Sequence, residues 1–137
     1  MLRNLLLTDV EALCQINEQA LGYSFSTEKT AQQLAKLIKD THHFFIGFED
    51  SETQQLLGYV HAEVYQSLYS DPGFNILALA VLPCQQGKGI GKTLLQGLEV
   101  EANQRGYAFI RLNSADYRTE AHAFYEHVGY SCDKLQK

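Results

Sequence analysis

Apolar and polar positions recur along the chain in two rhythms, one of period two and one near 3.6, and their succession predicts the elements. Leu2 to Leu6 reads as a short apolar strand. Thr8 or Asp9 then caps a helix whose apolar positions, Val10, Leu13, Ile16, Ala20 and Leu21, keep helical spacing until Gly22 stops it. A second helix opens at Ser26 or Thr27, followed by Glu28, and carries Ala31, Leu34, Ala35, Leu37 and Ile38 before fading at Lys39 and Asp40.

His43 to Phe48 and Leu56 to Tyr65 read as the strands of a hairpin, joined by the polar segment Glu49 to Gln55. In the second strand Gly58, Val60, Ala62 and Val64 point one way and Tyr59, His61, Glu63 and Tyr65 the other, which predicts one packed and one polar face. After a turn at Asp71-Pro72-Gly73, Phe74 to Leu82 is apolar apart from Asn75, the pattern of a strand buried on both faces and central in its sheet. The glycine-rich segment Gln85 to Gly91 leads into a helix reaching about Gln104, with Ile90, Leu94, Leu98 and Ala102 on one face and Gly106 after it. Tyr107 to Leu112 is a further strand, Ala121, Phe124, Tyr125 and Val128 mark a short helix closed by Gly129, and Tyr130 to Leu135 reads as a last strand. The order β-α-α-β-β-β-α-β-α-β, with hairpins and one strand-helix-strand crossover, predicts an α/β fold. Its central sheet is mixed and mostly antiparallel, with helices on both faces.

A length of 137 residues fits one domain spanning 1–137, with one core and one site to look for. Hydrophobic residues at 45% and charged ones at 20% exclude a disordered chain. The opening apolar run meets Asp9 and Glu11 too soon for a secretory signal or membrane span, so the protein is expected in the cytoplasm, away from membranes. Cys14, Cys84 and Cys132 lack zinc-ligand spacing, and the five histidines, His42 and His43 among them, form no recognisable set, so no metal site is expected. A formal charge of −5 repels polyanions and weakly attracts cations, which favours an amine partner over nucleic acid.

Gln86-Gly87-Lys88-Gly89-Ile90-Gly91 places glycine at every second position ahead of a helix. Such a backbone turns several N–H groups toward one point. The helix adds its unsatisfied N–H groups and the positive end of its dipole, so an anion such as a pyrophosphate is the natural ligand, with Lys88 or Lys92 adding charge. The dinucleotide fingerprint G-x-G-x-x-G fails because Gly91 arrives one position early. Gly91-Lys92-Thr93 matches the end of a P-loop, but Gln86 stands where its opening glycine belongs, and hairpin-linked strands precede it.

Two motifs then resemble the GNAT superfamily of acetyltransferases. Gln86 to Gly91 satisfies its Gln/Arg-x-x-Gly-x-Gly/Ala signature, and Ala121 to Tyr130 looks like its Ala-x-x-Phe/Leu-Tyr-x-x-x-Gly-Phe/Tyr helix ending. The resemblance implies an acetyl-CoA-dependent N-acetyltransferase. The amides of Gln86, Gly87, Lys88, Gly89, Ile90 and Gly91 hold the CoA pyrophosphate, and the backbone of Leu79, Ala80 and Val81 pairs with the pantetheine arm. Tyr125 matches the family tyrosine that protonates the departing thiolate. Arg118 stands seven residues before it, where many members carry Asn, and is a candidate CoA-phosphate contact; only a short tail follows the last helix, which leaves the usual final hairpin incomplete. The acceptor implied is a primary amine of a small molecule or peptide, and the resemblance also admits a homodimer.

Attack on a thioester needs a neutral amine, so the site must take up a proton and hold an oxyanion, the latter with backbone N–H groups near Leu79 to Val81. Glu63 is the candidate proton acceptor, with His61 beside it on the same strand face, either acting through water. A covalent relay through Cys84 lacks a neighbouring base. The competing class is an acyl-CoA-binding sensor that has lost turnover.

Overall fold

The computed structural model describes residues 1–112. One sheet runs in the order β1 (Leu2–Arg3), β2 (His43–Glu49), β3 (Leu56–Tyr65), β4 (Gly73–Val81) and β5 (Ile110–Leu112). Neighbours from β1 to β4 pair antiparallel; short connections make β2–β3 and β3–β4 hairpins, whereas the first two helices lie between β1 and β2. β5 lies parallel to β4, because α3 (Ile90–Arg105) carries the chain back along the sheet between them. The mixed, mostly antiparallel sheet expected from the element order is therefore the one that forms. The anticipated helix at 121–128 and strand at 130–135 lie outside the described residues, as do Arg118, Tyr125 and Cys132.

Helices cover both faces. α3 packs on β2, β3 and β4, with Leu94 and Leu98 wholly buried alongside Val60 and Phe74; burial of each such side chain is worth about 1.5–3 kcal/mol. α1 (Val10–Ile16) and α2 (Thr27–Leu37) lie on the opposite face, where the Tyr59 hydroxyl donates to Asn17 Oδ1 at 2.5 Å. Ser26 is the cap of α2, its Oγ accepting the Lys29 N–H at 2.9 Å.

Five expectations are corrected. The first strand stops at Arg3 because that guanidinium holds both Asp9 carboxylate oxygens, each at 2.9 Å, and pairs with Glu49. Asp9 also accepts the Leu6 N–H at 2.7 Å, so its carboxylate turns back toward the strand and caps nothing in α1. The first helix is not uniform: beyond Ile16 it widens into a π turn over Asn17–Leu21, closed by Gly22 at φ 78°. The strand expected from Tyr107 begins only at Ile110, because Tyr107 N–H bonds Ala102 O and Ala108 N–H bonds Pro72 O. Finally, the "polar" face of β3 is covered by α1 and α2, which leaves Tyr59 only 7% exposed.

Candidate functional site

The end of β4 delivers the chain to the glycine loop. Leu82 N–H still bonds Leu57 O at 2.9 Å, and a single 3-10 turn, Pro83–Gln85, follows. Gln86 then fastens the loop to the strand: its side-chain amide donates to Val81 O at 3.1 Å and its backbone N–H to Pro83 O at 3.3 Å. Gly87 and Gly89 take φ of 84° and 83°, a left-handed backbone that side chains rarely adopt, and among the described residues no atom lies within 4 Å of where a β-carbon would project from either.

Gly89 caps α3, so Gly91 and Lys92 belong to the first helical turn rather than to the loop. The first intrahelical bond is Thr93 N–H to Gly89 O at 3.0 Å, which leaves the N–H groups of Ile90, Gly91 and Lys92 ahead of it at the positive end of a 16-residue helix. Buried Ile90 anchors that turn. Lys88 Nζ reaches Gln85 Oε1 at 3.1 Å, and Lys92 is exposed. The Gln86 amide is engaged, so the converging donors start at Gly87. Thr93, which a P-loop directs to a metal, instead gives its hydroxyl to Gly89 O at 2.9 Å.

β4 departs from a strand buried throughout. Ile76 faces Ala62 and Ala78 faces His61, so Leu77 is an extra residue in a bulge and is 47% exposed. β5 pairs with β4 only as far as Ile76. Past that point, among the described residues, no strand covers the second edge of β4 at Leu79, Ala80 and Val81. The stretch from Leu79 to Val81 runs directly into the glycine loop.

A cleft of about 170 Å³ lies between α1, α2 and the sheet. Leu5, Leu13, Leu34 and Phe45 form apolar walls, and Tyr59 and His61 supply polar groups. Tyr59 and His61 stand opposite Ala80 and Ala78, in the part of β4 that leads to the glycine loop. Burial pushes the Tyr59 hydroxyl up to about 12. Burial, followed by the charge of His43, lowers His61 to about 4, so its ring is neutral near pH 7. Phe45 stacks on that ring with centroids 4.1 Å apart.

The structure sets Glu63 on the same face as His61 but not in the cleft lining; its Oε2 accepts from Asn75 Nδ2 at 3.0 Å. It also brings together two histidines that sequence spacing did not associate: His43 Nδ1 lies 3.0 Å from His61 Nε2. The signal was the hairpin register, which places Phe45 opposite His61 and His43 opposite Glu63. Alternation along two paired strands puts all four on one face, a relation invisible to searches for ligand spacing. Among the described residues no cluster of three or more His, Cys, Asp and Glu is arranged to hold a metal, and no helix is long and apolar enough to cross a membrane. Cys84 is exposed.

A model of the acetyltransferase (GNAT) family matches residues 10–130. Among solved structures, an aminoglycoside 6'-N-acetyltransferase from Acinetobacter haemolyticus superposes with a TM-score of 0.81 at 15% identity, over 96% of this chain and 90% of that one. Glucosamine-6-phosphate N-acetyltransferase from Arabidopsis thaliana gives 0.82 at 18% identity, over 96% and 90%. A transcriptional regulator from Bacillus halodurans gives 0.83 at 18% identity, over 96% and 92%. At these identities the likeness is one of fold. A sequence search of curated proteins finds no significant match.

Proposed function

The chain belongs to the acetyltransferase (GNAT) family, and from that premise we propose that residues 1–137 are one N-acetyltransferase domain moving the acetyl group of acetyl-CoA to a primary amine of a small molecule or peptide. The observation that carries this reading is the continuity of two features: the left-handed glycine loop at the start of α3 and the bulged end of β4, Leu79 to Val81, that leads into it. The first suits a pyrophosphate; the second suits an amide-bearing arm lying alongside Leu79 to Val81.

In this reading the N–H groups from Gly87 to Lys92 hold the pyrophosphate, with Arg118 on a further phosphate. Acetyl-CoA supplies an activated thioester carbonyl. Backbone N–H groups at the β4 edge steady the oxyanion as the amine nitrogen bonds to that carbonyl carbon. The C–S bond breaks, and the Tyr125 hydroxyl protonates the leaving thiolate. Glu63 is the final acceptor of the amine proton, through water, in keeping with its place on the His61 face of β3. The acceptor amine occupies the cleft between the first two helices and the sheet, and no metal takes part.

Acetyl-CoA and pooled primary amines supply the test, read as free thiol and acetylated product. Transfer by the folded chain would establish the activity and name its acceptor class. Binding of acetyl-CoA with no transfer would favour an acyl-CoA sensor instead.

A further inference from the structure

We propose that His61 and His43 form a proton relay that carries the proton of the acceptor amine out of the cleft to Glu63 and solvent. The inference rests on the acetyl-transfer reading and deepens it by supplying the path its proton takes. Glu63 accepts from Asn75 and does not line the cleft, so an amine held there does not meet it directly. His61 does line the cleft, and its Nε2 is 3.0 Å from His43 Nδ1. His43 lies opposite Glu63 across the hairpin. The three groups therefore share one sheet face, with His61 lining the cleft and His43 and Glu63 paired beside it across the hairpin.

The balance is simple. The ammonium gives its proton to His61 Nδ1, and the hydrogen on His61 Nε2 passes to His43 Nδ1. His43 then releases the hydrogen on its Nε2 to water beside Glu63. The freed amine attacks the thioester, and once product has left, both rings regain their first tautomers by exchange with water. A proton does not rest on His61, because burial disfavours charge there; it moves on to His43, which stands opposite Glu63 in the hairpin register. Among the described residues, other ionisable groups nearby include Tyr59 in the cleft, Tyr65 and the Arg111 guanidinium stacked over its ring farther along the face, and, from the turn before β2, Asp40 and His42. Among the described residues the π turn brings Asn17, and α2 brings Thr30 and Gln33, to the cleft as polar residues.

Acetyl transfer to the amine panel would be followed against pH for the full chain and for His61→Gln, His61→Ala and His43→Gln, with acetyl-CoA affinity and folding measured on each. The relay predicts that His61→Gln lowers kcat by about 100-fold or more with unchanged acetyl-CoA affinity. It predicts a loss of roughly tenfold for His43→Gln, with a displaced acid limb of the pH profile, and partial rescue of His61→Ala by added imidazole. A purely structural pair would lower activity only in proportion to the folded fraction, with no rescue, and would overturn the relay. So would a wild-type rate and profile in His61→Gln, which leaves acetyl transfer standing. A wild type that binds acetyl-CoA yet acetylates none of the amines overturns the transfer reading, and the relay with it.

Discussion

A β-carbon on Gly87 or Gly89 would meet no neighbour among the described residues, whereas the left-handed backbone there favours glycine. Gly89→Val should cost about 1–2 kcal/mol in urea unfolding, and more in acetyl-CoA affinity than in stability, because the substitution reorients the donors at the start of α3. Equal affinity in the variant would sever the loop from phosphate binding. Tyr125→Phe should depress transfer while leaving acetyl-CoA binding nearly unchanged; an unaltered kcat under chemistry-limited conditions would remove it from the acid role. Glu63→Gln should reduce the rate most at low pH, where alternative acceptors are protonated, and an unchanged pH profile would count against it. The glycine loop was legible in sequence because it is local and its chemistry resides in the backbone. The His43 and His61 contact was not, since it depends on a strand register that no short motif encodes.

Elements were readable where one periodicity rules an entire segment. α3 runs Ile90–Arg105 with Ile90, Leu94, Leu98 and Ala102 buried, as the four-residue interval predicts. Departures arise where a tertiary partner overrides local pattern. Arg3 with Asp9 and Glu49 ends β1, the β4 bulge expels Leu77 from an apolar run, and the π turn sets Asn17 under Tyr59. Gly97 marks the close approach of α3 to the sheet: a β-carbon there would lie 2.9 Å from Leu2 Cδ1 and 3.0 Å from Ile46 Cδ1. Gly97→Leu should therefore overpack the interface and lower stability by about 1–3 kcal/mol in urea unfolding. Gly97→Ala should cost far less, because those side-chain ends can shift and alanine favours helix. If leucine were tolerated as well as alanine, α3 would not be seated as described.

At the scale of the whole molecule, acid should loosen the fold through groups whose folded values are depressed. Burial takes His61 from 6.5 to about 4. Above pH 6.5 it is neutral whether folded or unfolded, and its contribution is complete. As pH falls from 6.5 toward 4 the unfolded chain gains a proton that the folded chain resists, so stability declines by at most roughly 3 kcal/mol from this group. Burial would raise Asp9, but the hydrogen bonds from Arg3 and Leu6 and the Arg3 charge outweigh it and hold the carboxyl below its usual value. Its contribution is therefore lost as pH falls further, through that lowered value. Urea unfolding of wild type and His61→Gln across this range should show a flatter curve for the variant above pH 4; parallel curves would mean His61 is not the group responsible. The binding face and the acid-sensitive face thus belong to one sheet, with β4 linking the glycine loop to the cleft.

The most direct measurement of the central claim is a calorimetric titration of the folded protein with acetyl-CoA in the absence of divalent metal. Saturable binding, weakened in Gly89→Val, is the result predicted. No binding, or binding indifferent to that substitution, would contradict the assignment of the glycine loop and the end of β4 as the acetyl-CoA site.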